Sequence, residues 1–251
     1  MKSSNIGGQA VMEGIMMRSG DQYSIGVRKP DGEIEVKVEP YRSWAKDSSI
    51  WKLPVFRGVA SFFESLVVGI RCLMYSASFI EDEEEDAKKP GKEKTEEQKE
   101  KEEKWLMYGT MTFSVIFSIA LFIMLPYFLA GFLRNVTTSE GVIAVAEACV
   151  RMILFLGYLV LISRMKDIQR VFMYHGAEHK CINCVEHGLE LNVENVMKSS
   201  REHKRCGTSF LLFVMIVSII FFLFIRVSSP VLRVVIRLLL MPVIAGVSYE
   251  I

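Results

Sequence analysis

The sequence predicts an α-helical polytopic membrane protein, with about four transmembrane helices and a small β-rich cytoplasmic module at the N-terminus. Three observations carry this. Four apolar runs, 105–133, 141–163, 208–225 and 231–251, are each long enough to cross ~30 Å of hydrocarbon at 1.5 Å per residue. Hydrophobic residues make up 51% of the chain while 24% are charged, a mixture that arises when apolar segments alternate with charged ones. Residues 1–50, by contrast, show period-two patterning.

In that module Tyr23, Ile25 and Val27 alternate with small or polar residues, as do Ile34, Val36 and Val38. Pro30-Asp31-Gly32 lies between them, so the segment reads as a β-hairpin. The run Gly7-Gly8-Gln9-Ala10-Val11-Met12-Glu13-Gly14-Ile15-Met16-Met17-Arg18 reads as a further strand with bends at its glycines. A sheet of two to four strands is expected. Residues 53–80 form an amphipathic interfacial or membrane helix. Arg57, Glu64 and Arg71 are seven apart and make one polar stripe, with Phe56, Phe63, Leu66, Val67, Ile70 and Met74 around it. The interfacial placement is preferred. Residues 81–104 hold 19 charged side chains out of 24 and cannot bury a core, so they form a solvated linker.

The first span, 105–133, carries no charge; Trp105 and Tyr108 suit its interfacial start, and Pro126 is placed to kink it. The second carries Glu147 and Arg151, which at that depth must face other helices or water. Arg233 and Arg237 lie near the start of the fourth. The chain stops at Ile251 without a terminating segment, which points to a truncation. Eight Lys or Arg lie in the connection 164–207, whereas each of the two connections on the other side holds one, Arg134 or Arg226. The positive-inside rule then puts this connection and the N-terminal module on the cytoplasmic face, on the premise that 53–80 does not cross.

All four histidines, His175, His179, His187 and His203, lie in that one connection. His175-Gly176-Ala177-Glu178-His179 is an H-x-x-E-H pattern, which on a helix puts both imidazoles and the carboxylate on one face. The same spacing serves metalloproteases in which both histidines bind zinc and the Glu is the base. Cys206 stands before the third span, where a helix N-terminus and neighbouring Lys204 and Arg205 favour thiolate. His203 and Cys206 are thus expected to complete a site begun by His175 and His179. A competing arrangement, Cys181-x-x-Cys184 with His203-x-x-Cys206, has the spacing of a closed zinc knuckle. His187, before Gly188, reads as a solvated loop residue.

The segments 7–18, Tyr174-His175-Gly176-Ala177-Glu178-His179-Lys180 and Arg205-Cys206-Gly207-Thr208-Ser209-Phe210 together resemble the bacterial YqhQ family. Pro54-Val55-Phe56-Arg57-Gly58 and Glu64-Ser65-Leu66 fit its next block, and the likeness runs along essentially the whole chain. The family is of unknown function and is described as metal-dependent membrane enzymes. The resemblance implies a multi-pass protein of the bacterial inner (plasma) membrane and a metal site on His175, Glu178, His179, His203 and Cys206, without Cys181 and Cys184. It also implies that the natural chain continues past Ile251. It implies no substrate. Glu13 and Arg18 are the remaining polar candidates, against a structural salt-bridge role.

The leading functional expectation is a membrane metallohydrolase. His175 and His179 hold a divalent ion, zinc before others, His203 or Cys206 adds a ligand, and Glu178 is the general base. The alternative is a non-enzymatic accessory protein bound to a larger membrane complex, such as protein-insertion machinery, with a structural metal site. A thiol enzyme using Cys206 with a histidine base is a third reading. A transporter using Glu147, Arg151, Arg233 and Arg237 is a fourth, for which no internal repeat speaks. The lipid bilayer is the expected partner, and the net charge of +1 gives no bulk case for nucleic acid. An odd number of cysteines (five), two of them in apolar stretches, argues against a secreted disulfide framework, and the N-terminus lacks the pattern of a signal peptide.

Overall fold

The structure, a computed structural model, describes residues 4–43, 49–87, 96–203, 206–225, 227 and 229–251. Its elements run β1 (Gly7–Val11), β2 (Gly14–Ser19), β3 (Gln22–Arg28), β4 (Ile34–Pro40), α1 (Phe56–Ala87), α2 (Glu96–Ile119), a π-helical turn (Ala120–Met124), α3 (Leu125–Gly131), α4 (Glu140–Ile162), α5 (Lys166–Glu186), α6 (Val193–Lys198), α7 (Gly207–Phe224) and α8 (Pro230–Glu250). The chain divides into two compact units. One comprises residues 1–87, 162–214 and 242–251, the other 88–161 and 215–241.

In the first unit the four strands form an antiparallel meander in chain order. The expected hairpin is β3–β4, with Gly32 at φ +89° in its turn. The 7–18 run is two strands rather than one. They reverse at Met12–Glu13, where Glu13 takes φ +48°, a left-handed conformation uncommon for a residue with a Cβ. No Gly or Pro stands at those two positions, so the local pattern gives no turn signal there. One face of the sheet, Val11, Met16, Tyr23, Ile25 and Val27, packs with Cys72, Val68, Tyr75 and Phe79 of α1. The register aligns Gly8, Met17, Ser24 and Val38 on the other face, and that face meets α5: Met17, Ser24 and Val38 line a cavity with Cys181, Ile182 and Val185. The sheet is therefore sandwiched between α1 and α5. The apolar row of β4, Ile34, Val36 and Val38, shares this second face and stays 60–63% exposed.

Of the polar stripe of α1, only Glu64 points inward, while Arg57 and Arg71 are exposed. Glu64 is buried and accepts hydrogen bonds from Tyr41 and, at 2.9 Å, from the Ser43 hydroxyl. The Met12 N–H donates to Ser76 Oγ at 3.1 Å, and a Cβ on Gly69 would meet the Gln9 side chain. At its start α1 crosses the end of α8: Arg57 pairs with Glu250, and Gly58 lies against Gly246.

Five helical segments are long and apolar enough to cross a membrane: Phe56–Ile80, Trp105–Gly131, Glu140–Ile162, Gly207–Phe224 and Val231–Glu250. The count is thus five, not about four. The added one is α1, whose mean hydropathy of 1.4 in its best window is the lowest of the set, because its polar stripe hides a continuous apolar face from a reading by composition.

In the second unit Pro126 does not stand in a plain α-helix but follows the π-helical turn. Proline has no N–H to give to the carbonyl four residues back, and that carbonyl, Phe122 O, instead accepts from Arg151 Nε at 3.1 Å. Arg151 also pairs with Glu147 at 2.7 Å, and both are buried, as their depth required. Pro90-Gly91, expected to break the charged linker, lies outside the described residues.

A Cβ on Gly246 would fall within 3 Å of Val55, just before α1, whereas nothing lies within 4 Å of one on Gly157. Gly246→Val is therefore expected to cost about 1–3 kcal/mol by overpacking. Gly157→Val should cost clearly less. Thermal unfolding of the two detergent-solubilised variants checks this.

Candidate metal centre

Helix α5 places His175, Glu178 and His179 on one face, as i, i+3 and i+4 require. After α6 the chain turns back, and α5 holds it through three backbone carbonyls there and a fourth, Met197 O, within α6. His179 Nδ1 donates to Arg201 O at 2.7 Å. Asn183 donates to Ser200 O at 2.7 Å and to Glu202 O at 2.9 Å, and Lys180 Nζ donates to Met197 O at 2.5 Å. These bonds return the segment so that Cys206 lies beside His175, with Sγ 3.3 Å from Nε2. The ligand atoms of His175, His179 and Cys206 all lie within 4.8 Å of one another, and the two imidazole rings are 4.3 Å apart. Among the described residues this is the group of three or more His, Cys, Asp or Glu that could hold a metal.

The hydrogen bonds assign the ring nitrogens. A carbonyl only accepts, so His179 carries its proton on Nδ1 and keeps a lone pair on Nε2. His175 Nδ1 lies 2.9 Å from Glu178 Oε2, so the carboxylate draws the proton there and turns Nε2 toward Cys206. A histidine that gives one N–H to a carboxylate or carbonyl while its other nitrogen faces the metal is the usual arrangement in metal sites. The Glu178 hydrogen bond, with help from Cys206, raises His175 to about 9 against the opposing effect of burial. For Cys206, burial acts upward but is outweighed by hydrogen bonds from Thr208 and His175, so the thiol lies below its ordinary value. Lys204 and Arg205, which the sequence sets beside Cys206, lie outside the described residues.

Glu178 is 3% exposed, and strand β1 is why. Gly8 passes directly over its carboxylate, where any Cβ would collide with the Glu178 side chain. Gly8, Asn183 and Thr208 were not singled out by sequence reasoning. Asn183 is four residues after His179, on the same helical face, and that was the available signal.

His203 is not brought into the group. Its Nε2 lies 3.3 Å from Glu186 Oε2, while Glu186 Oε1 accepts from Ser4 N and Oγ at 3.0 and 2.9 Å. The Cys181–Cys184 pair does not join His203 and Cys206 either. Cys184 Sγ faces Glu190 O at 3.4 Å and Cys181 lines the cavity under the sheet. His187 is exposed just past α5, where Nδ1 donates to Asn183 O. Glu13 accepts from Arg170 and from Tyr174, the residue before His175, and the Arg170 hydrogen bond holds its carboxyl below the usual range. Arg18 stacks on Tyr41, 4.5 Å from the ring centre. Both are thus engaged in contacts that fix the sheet.

The family described as "Protein of unknown function (DUF1385)" matches residues 53–251. The chain is 37% identical over 246 residues to the "Uncharacterized protein YqhQ" of Bacillus subtilis (strain 168), covering 98% of this chain and 77% of that one. The chain belongs to this family. No solved structure matches it.

Metal uptake at His175 must displace a proton held up to about 9. Metal affinity is therefore expected to rise about tenfold per pH unit from pH 7 and to level off near pH 9. Affinity measured across that range by competition with a chelator of known pH dependence checks this, and a flat profile would contradict it.

Proposed function

We propose that this is a multi-pass protein of the bacterial plasma membrane that works as a metallohydrolase at the cytoplasmic face. The observation that carries the reading is the convergence of two correctly oriented imidazoles and a thiol from segments 31 residues apart. Two nitrogens and one sulfur are a donor set for zinc, and three protein ligands are the number that catalytic zinc sites use, where closed structural sites use four. When bound, the ion would supply Lewis acidity there. His175, His179 and Cys206 would hold it. Glu178, which sequence alone casts as general base, is engaged by His175 in this structure, and we assign it to holding the proton at Nδ1. A membrane-proximal peptide or a lipid head group is the substrate class that the location suits.

A second reading draws on the same distances. Glu178, His175 and Cys206 stand in line as an orienting acid, a base and a thiol nucleophile. It leaves the lone pair of His179 without a task, and for that reason we place it second. An accessory role with a purely structural metal would call for a fourth protein ligand, and the group among the described residues has three.

We further propose that α1, although long and apolar enough to cross, lies along the cytoplasmic face while the other four of the five segments cross. The sheet packs on α5. Were α1 to cross, three crossings would separate the sheet from α5 and put them on opposite sides. The face of α1 away from the sheet, with Phe63, Leu66, Val67, Ile70 and Met74 each 37–49% exposed, would then rest in the interface. Epitope tags placed at the N-terminus and at residues 92 and 190 are expected to be reached from the cytoplasm, and one at 137 from outside. An N-terminal tag reached from outside, with the tag at 92 reached from the cytoplasm, would overturn the arrangement.

Untagged protein purified in detergent is expected to carry a near-stoichiometric transition metal by mass spectrometry, and His175→Ala/His179→Ala to carry none. Glu178→Gln should bind metal about 10–100-fold more weakly, because the orienting carboxylate is lost. Full affinity with loss of turnover would return Glu178 to the role of base. Absence of metal from reloaded wild type would favour the thiol reading, which predicts rapid alkylation of Cys206 slowed by His175→Ala.

A further inference from the structure

The second unit contains a charged cluster that has no part in the metal centre. Glu147 and Arg151 of α4 and Arg237 of α8 are 3–5% exposed. Each lies within apolar helix, and Glu147 and Arg237 are both seven residues, about 10 Å, from the start of their helices. Both guanidinium groups pair with the same carboxylate oxygen, Glu147 Oε1. Both also stack on one ring, Phe222, at 5.0 and 4.8 Å. One carboxylate thus serves two buried arginines.

The consequences show at Arg237. Its Nε is buried without a hydrogen-bond partner, which no other described side-chain nitrogen or oxygen is. A guanidinium offers five N–H donors, and a buried donor left unmade is costly. Beside it lies a cavity of about 560 Å³, lined among others by Glu140, Glu147, Phe222, Phe224, Arg233 and Arg237. Arg233 gives its guanidinium to Val227 O and to the face of Tyr127, neither of which carries charge. Glu140, at the start of α4, is exposed. Among the described residues, Glu147 is the one carboxylate paired with Arg151 and Arg237, so the cluster beside the cavity carries one positive charge in excess, and the cavity's remaining wall, including Leu223 and Ile225, is apolar.

A site of this kind calls for an oxyanion with an apolar body. We propose that the cavity binds the phosphate of an anionic phospholipid, with Arg237 and Arg233 meeting its oxygens and the wall of Phe222 to Ile225 taking the acyl chain. Guanidinium is suited to this by its planar fork, which matches phosphate oxygens two at a time. The lipid would supply the negative charge the cluster lacks, in a medium where an unpaired charge is expensive. A free oxyanion shares the headgroup chemistry but not the fit to the apolar wall. The proposal rests on the multi-pass reading above and not on the metal.

The test is thermal unfolding of the full chain in detergent. It is carried out with dioleoylphosphatidylglycerol, dioleoylphosphatidylcholine or inorganic phosphate, for wild type and for Arg237→Met. That variant removes the unpartnered nitrogen and leaves Glu147 paired with Arg151. Phosphatidylglycerol is expected to raise the wild-type midpoint by roughly 3–5 °C over phosphatidylcholine, as near-saturating binding would. The difference should vanish in Arg237→Met, whose midpoint without lipid should be no lower than that of wild type. Equal shifts from the two lipids, or a phosphatidylglycerol shift that survives in the variant, would overturn the proposal. An equal shift from inorganic phosphate would mark a soluble-oxyanion site and overturn it too. Should Arg237→Met fail to fold, the three wild-type additions decide alone. Recovery of the protein without detergent would instead overturn the membrane reading itself.

Discussion

The carbonyls that α5 captures from the segment after α6 are the constraint on which the candidate site depends. Without them His175 and His179 are only two neighbouring side chains on a helix, and Cys206 has no reason to be near. His179 is the economical element here. One ring nitrogen anchors the returning chain at Arg201 O, and that same bond fixes the tautomer that leaves the other nitrogen to accept. Folding of the segment and preparation of the ligand are one event, so a change in the segment's path would be felt at the site before any donor was altered.

The N-terminal strand adds a second constraint from the opposite side. Gly8 can lie on Glu178 because it has no side chain, and the sheet bearing it is held by Glu13 to Arg170 and Tyr174 on α5. The left-handed conformation at Glu13 puts its backbone into a tight reversal while its carboxylate reaches the helix. The family's first motif is therefore intelligible without chemistry of its own. It is the surface that buries the orienting carboxylate. A buried carboxylate whose oxygen faces an imidazole keeps that ring's proton in place far better than one solvated by water.

How much of this was legible in the sequence varies with the kind of physics involved. Periodic features were: the β3–β4 hairpin from its period of two, the apolar spans from length, and the shared face of His175, Glu178 and His179 from helical spacing. Long-range choices were not. His203 stands three residues from Cys206, and spacing alone could not foresee that Glu186 would take it. The spacing of Glu178 fits a base and an orienting carboxylate equally well, and only the position of His175 Nδ1 separates them. Hydropathy could not decide α1, because an interfacial helix and a spanning one have the same apolar face. Nor could the sequence foresee that Tyr41 and Ser43 would take the Glu64 carboxylate.

The charge balance of the two polar clusters explains why each should call for a ligand, and of opposite kinds. In the candidate metal centre the Glu178 hydrogen bond and Cys206 raise His175 to about 9, so the surroundings that favour a proton there would favour a cation in its place. In the second unit the imbalance is reversed, because Arg151 and Arg237 share the single carboxylate of Glu147. There no proton can settle the account, since arginine does not release one, and only an added anion can. A cluster that can titrate away its excess charge tolerates an empty state, whereas one that cannot is stabilised when an anion is supplied.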